Sequence, residues 1–205
     1  MTTTLEARTE MGSGPLSERF DEALTYASRH HRQQLRKGSR VPYMTHLMSV
    51  SALVLEHGGS EDQAIAALLH DAVEDQGGEV TLGLIRQQFG NHVADIVKAC
   101  SDTDAQPKPP WRARKEAYVA HLHDPTLPAG TLRVSLADKL HNARAILFDL
   151  RSGQDVFSRF SASREETHWY YDELAKAFAQ LTDSPMVAEL RIVVDELLSQ
   201  QPQEA

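Results

Sequence analysis

The chain has 205 residues, is 41% hydrophobic and 24% charged, and carries a formal net charge of −8. That length and composition fit one folded domain with a real core plus some tail, while the charge argues against broad binding to nucleic-acid polymers or anionic membranes and leaves room for a local basic pocket. A single cysteine, Cys100, excludes an internal disulfide framework, no apolar run reaches the roughly 18–20 residues of a membrane helix, and a cytoplasmic protein is the expectation.

Residues 1–15, beginning MTTTLEARTEMGSG, lack the apolar stretch of a signal peptide and are expected to form a disordered tail. From about Leu16 the pattern turns helical: Phe20, Leu24, Ala27 and His31 share one face, and Gly38 and Pro42 in LRKGSRVPY end it. HLMSVSALVLEHGG reads as a second helix closed by Gly58 and Gly59. Ser60 and Gln63 have capping-box spacing and open a third, which the pattern carries through AIAALLHDAVEDQ to Gly77 and Gly78. Thr81 is expected to cap a short helix to Phe89, and NHVADIVKAC supplies the next. Pro107, Pro109 and Pro110 forbid regular structure in SDTDAQPKPPW. RKEAYVAHLH is helical up to Pro125, and TLRVSLADKLHNARAILFDL forms a long, mostly buried helix. Residues 161–181 and 185–198 give two more before a frayed tail, and no strand alternation or repeat appears. The expectation is a single all-α domain, a helical bundle.

The third helix turns from apolar to acidic within one turn, at His70, Asp71, Glu74 and Asp75. A solvent-facing helix end would explain that, and so would a metal site. Three features favour the site. His46 stands at the start of the second helix, within reach across a helix hairpin. Asp138 lies among Leu136, Ala137 and Leu140, where an unpaired carboxylate is costly to bury. Asn142 follows Asp138 by four residues, and Glu74 and Asp75 follow His70 and Asp71 by four, so each set occupies one helix face.

The order His46, His70-Asp71, Asp138 resembles the HD superfamily of metal-dependent phosphohydrolases. Its context, HRQQLRKGSRVPYMTH, ALLHDAVEDQ and ADKLHNAR, is similar to the hydrolase domain of the RelA/SpoT family, which degrades guanosine tetraphosphate. With no synthetase half following, the chain looks most like the stand-alone small alarmone hydrolases. The resemblance implies an HD-type helical bundle over residues 16–183, followed by a C-terminal helix and tail at 184–205. It implies that His46, His70, Asp71 and Asp138 hold one divalent ion, typically manganese, and that Glu74 and Asp75 orient or deprotonate the attacking water. Arg36, Lys37, Lys139 and Asn142 would bind a small-molecule nucleotide, whose 3′-diphosphate would leave as pyrophosphate.

The chain departs from the family where Leu47 follows His46, where Gln76 follows Asp75, and at Ala145, a position where threonine is common. These bear on substrate choice and keep two other readings open: a phosphatase for another phosphorylated nucleotide, and a non-catalytic alarmone-binding module. Among the remaining signals, WRARKEAY reads as a solvated helix start or a phosphate-binding segment. Trp169, Tyr170 and Tyr171 read as core or interface, and His141 as packing or support behind the ligands.

Overall fold

The computed structural model describes residues 15–75, 77–101 and 108–200, and for Asp75 the backbone alone. The expected N-terminal tail, Gln76 and most of the proline-bearing loop lie outside the described residues. The described elements are helical: α1 (Glu18–His30), α2 (Met44–Glu56), α3 (Glu61–Leu69), α4 (Ala72–Asp75), α5 (Gly78–Phe89), α6 (Asn91–Cys100), α7 (Trp111–His121), α8 (Thr131–Arg151), α9 (Arg164–Leu181) and α10 (Pro185–Ser199), with one 3-10 turn at Phe157–Arg159. None of the described helices is long and apolar enough to cross a membrane.

The centre of the bundle is α3. Every residue from 64 to 69 is buried, so this helix is apolar all round, as a helix packed on every side must be. It packs against α1, α2, α6 and α8. Burying Ile65, Leu68 and Leu69 contributes about 1.5–3 kcal/mol each. Ala23 and Ala27 give α1 a small-residue face against it. The hydroxyl of Ser51 on α2 donates to the Ala64 carbonyl at 3.0 Å, a buried tie between the two helices. Their hairpin turns at Gly58, φ +74°, and Gly59, whose amide donates to Val54 at 2.8 Å, a glycine-closed helix end. The start of α3 carries the expected capping box between Ser60 and Gln63. The long helix α8 packs on α2, α3, α6, α9 and α10, so it faces both the core and the open side of the bundle.

Two boundaries differ from the sequence pattern. The third helix does not run on to Gln76. It stops at Leu69, the chain turns at His70 and Asp71, and α4 is a separate helical turn. The ring of His70 bonds the Ala67 carbonyl at 2.7 Å, so a side chain occupies an acceptor that a continuing helix gives to the backbone. Hydrophobic periodicity is blind to that exchange. Thr81 is not a cap either. Gly77 and Gly78 have φ of +116° and +60°, helical bonding begins at Gly78, and Thr81 lies buried inside α5.

At the start of α9, Ser163 accepts from the Glu166 amide at 3.1 Å while Glu166 accepts from the Ser163 amide at 2.8 Å. Ser163→Ala removes half of this reciprocal cap. It should cost about 1 kcal/mol, read as a fall of roughly 2–4 °C in the thermal midpoint followed by circular dichroism.

Candidate active site

Four elements bring the candidate ligands together: the first turn of α2 with His46, the end of α3 with His70, the turn after it with Asp71, and the middle of α8 with Asp138. His46 and His70 are buried, and Asp138 is nearly so. Ligand atoms of His46, His70 and Asp138 all lie within 4.8 Å of one another. His46 Nε2 stands 3.2 Å from Asp138 Oδ1 and 3.6 Å from Asp71 Oδ2. His70 Nε2 stands 3.1 Å from Asp71 Oδ2 and 3.6 Å from Asp138 Oδ1. His46, His70 and Asp138 therefore form one group, and Asp71 stands against both of its imidazoles.

The surroundings fix each ligand. The Ala67 carbonyl can only accept, so the Nδ1 of His70 carries a proton and Nε2 is turned inward. His46 Nδ1 meets His141 Nδ1 at 2.8 Å, a pairing in which one ring donates. Burial, reinforced by the charges of His46 and Arg36, drives the pKa of His141 down to about 4, so at neutral pH it is an uncharged ring able to accept. The hydroxyl of Tyr43 donates to Asp71 Oδ2 at 2.5 Å. Asn142 donates to Asp138 Oδ1 at 2.5 Å, and Lys139 to Asp138 Oδ2 at 2.6 Å. Arg36 in turn donates to Asn142 at 2.6 Å, so a chain of bonds runs from the loop before α2 to the Asp138 carboxylate.

Charge in the cluster is tightly balanced. Burial works against ionisation of Asp138, but the charge of Lys139 and the imidazoles of His46 and His70 beside it overcome it and hold the carboxyl well below the usual range. Asp71 is likewise held low, against burial, by His70 and His46. Burial opposes a charged His70, yet Asp71 and Asp138 outweigh it and raise its pKa well above the ordinary imidazole value. The fit to a cation rests on geometry. The inward Nε2 atoms of both histidines are buried and make no hydrogen bond, although carboxylate oxygens surround them. Two imidazoles and the Asp138 carboxylate within 4.8 Å of one another, with Asp71 against both imidazoles, form a donor set suited to a divalent ion such as manganese, iron or zinc.

Glu74, expected near the attacking water, is ion-paired at 2.8 Å with Lys108, which stands between two prolines of the proline-bearing loop. The side chain of Asp75 lies outside the described residues. Beside the cluster is a cavity of about 590 Å³ whose wall includes Tyr43, Lys139, His141 and Asn142, each of which is bonded to a cluster residue. Arg36 and Lys37 line it too, as does Lys115 from the basic run. Arg112 of the same run stacks on Trp169 instead, its guanidinium 3.2 Å from the ring centre. Tyr170 and Tyr171 are buried as expected, and both also face this cavity. Lys139 lines it while committed to Asp138 and lying over the ring of Tyr118, 4.6 Å away. A larger groove of about 750 Å³ runs along α1, but Glu18, Asp21 and Glu22 in its wall repel a polyanion.

Sequence reasoning passed over Tyr43 and Lys108. Tyr43 precedes His46 by three residues, a spacing that places both on one helix face, so a signal existed. Lys108 meets Glu74 across 34 positions and a loop without periodicity, and no sequence signal marks it.

A family model described as HD domain matches residues 23–168. The chain is 37% identical over 126 residues to the MESH1 guanosine-3′,5′-bis(diphosphate) 3′-pyrophosphohydrolases of Xenopus tropicalis and Homo sapiens, a match covering 60% of this chain and 66% of each of theirs. The chain thus spans just under two thirds of the length of those relatives. Among solved structures, a metazoan ortholog of SpoT that hydrolyses ppGpp superposes with a TM-score of 0.72 at 24% identity, covering 88% of this chain and 96% of that one. That likeness speaks to the fold.

Proposed function

The chain belongs to the HD domain family, and on that premise we propose that it is a metal-dependent phosphohydrolase that cleaves the 3′-diphosphate of (p)ppGpp-like alarmone nucleotides and releases pyrophosphate. The observation carrying this reading is the grouping of His46, His70 and Asp138, with Asp71 against both imidazoles, behind the wall of a cavity lined by cations, in a chain similar to named 3′-pyrophosphohydrolases.

His46, His70, Asp71 and Asp138 would hold one divalent ion, manganese being the ion this donor set and family suggest. When bound, such an ion withdraws charge from a phosphoryl oxygen and makes water more acidic. The protein's own groups account for the rest. Arg36, Lys37, Lys115 and Lys139 draw a polyanion into a molecule that is acidic overall, and the planar guanidinium of Arg36, 5.6 Å from the Tyr43 ring, suits stacking on a base. Asn142 holds Asp138 in place and tethers Arg36. Glu74, with Asp75, takes the proton of the attacking water, and Lys108, ion-paired with Glu74, holds that side chain in place. The 3′-oxygen then leaves with the nucleotide, and pyrophosphate departs from the cationic wall.

The test is purified protein with manganese and guanosine or adenosine 3′-diphosphates. Pyrophosphate is expected, and a chelator should stop its release. No pyrophosphate from any 3′-diphosphate, together with turnover of ordinary nucleotides, would overturn the proposal. Release of phosphate from a 2′- or 3′-monophosphate would favour the other phosphatase reading.

A further inference from the structure

Resting on the reading of the site as a nucleotide 3′-pyrophosphohydrolase, we propose that Asp149 selects the base, reading the donor edge of guanine at the end of the cavity away from the ligand cluster. Asp149 and Asp138 stand on the same helix, eleven positions apart. At 3.6 residues per turn that is three turns almost without residual rotation, and at 1.5 Å per residue about 16 Å, the reach of a nucleoside with its diphosphate. Asn142, Ala145 and Asp149 form one stripe of the cavity wall leading away from Asp138.

Charge decides what can lie at the far end. Arg36, Lys37, Lys115 and Lys139 are cations, and Asp149 is the one carboxylate among the described lining residues. Asp149 is ion-paired with Arg159, and its remaining acceptor suits an uncharged group rich in N–H donors, whereas a phosphate finds its partners among the cations nearer Asp138. Guanine offers two such donors side by side, N1–H and the 2-amino group. Adenine presents a ring-nitrogen lone pair at the same edge, which faces a carboxylate unfavourably. Ala145 contributes only a methyl group, so discrimination falls to Asp149.

The carboxylate is held for this task. Arg159 Nη1 donates to Asp149 Oδ2 at 2.8 Å, which leaves Oδ1 to a ligand. The Arg159 stem lies against Gly38, where an added Cβ would stand 2.3 Å from its Cδ. Gly38 also has φ +68°, so the loop carrying Arg36 and Lys37 is moulded to Arg159 by a residue without a side chain. Base-reading carboxylate and phosphate-facing loop are thereby set in one arrangement.

The experiment uses the full chain with manganese and compares pyrophosphate release from the 5′,3′-bis(diphosphates) of guanosine, inosine and adenosine. Losing the 2-amino donor should lower kcat/KM roughly tenfold for inosine, and adenosine should fall roughly thirtyfold or more, mainly through KM. This arm needs no altered protein, so it stands if a variant fails to fold. In Asp149→Asn the guanosine-to-adenosine ratio should drop at least tenfold. Equal kcat/KM for all three bases, or an unchanged ratio in Asp149→Asn, overturns the inference and leaves the proposed reaction standing. No pyrophosphate from any of the three overturns both.

Discussion

Asp138→Asn is expected to reduce pyrophosphate release at least roughly a thousandfold, the equivalent of about 4 kcal/mol of transition-state stabilisation. The substitution keeps the shape of the side chain and removes its charge. Both carboxylate oxygens are engaged, Oδ1 by Asn142 and facing His46 and His70, Oδ2 by Lys139. An amide presents one acceptor and one donor, so one of these neighbours must meet an N–H. Lys139, mostly buried with Asp138 as its ion-pair partner, then loses its counter-charge, and breaking one side of such a pair costs up to about 3–5 kcal/mol of stability. The measurement therefore couples activity with manganese titration by calorimetry and with a thermal midpoint. The expected pattern is a folded protein of lower midpoint whose manganese affinity has fallen at least tenfold. Wild-type metal affinity in a folded variant would remove Asp138 from the ligand set.

Glu74→Gln should cost roughly 10²–10⁴-fold in kcat while leaving manganese affinity within about twofold, the signature of a group that moves a proton without holding the ion. The ion pair to Lys108 is largely exposed, so its loss is worth no more than about 1 kcal/mol of stability, and the fold is not at risk. The matching substitution Asp75→Asn separates the two carboxylates. If Glu74→Gln keeps wild-type kcat and Asp75→Asn does not, the proton goes to Asp75 and Glu74 is a tether for Lys108.

Much of this architecture was written in local chemistry. Ser60 with Gln63 announced a capping box, Gly58 and Gly59 marked a helix end, and Pro185 opened the last helix at its first position. Each acts within a few residues, where sequence spacing and spatial distance coincide. The candidate ligands stood out for a related reason: an acid inside an apolar run, as Asp138 is, has few explanations. What escaped is what depends on a side chain replacing a backbone partner or on contacts across the bundle. The break between Leu69 and Ala72 carries no glycine or proline, and only the His70 ring on Ala67 reveals it. The bond between His46 and His141 joins residues 95 positions apart, and His141 follows Asp138 by three, on the same side of α8 as Asn142. The Asp149–Arg159 pair carried no sequence signal, since an acid near the end of a helix is ordinary.

A straight helix behaves as a ruler that cannot be stretched. With Asp138 at one mark of α8 and Asp149 at another, the interval between the reacting end and the recognising end is set by backbone hydrogen bonds and not by adjustable loops. Inserting a single residue between them would swing the far mark by about 100° and carry it off the cavity wall, whereas side-chain exchange leaves the interval intact. Substrate preference in such a frame can be retuned letter by letter, but its length scale is inherited whole.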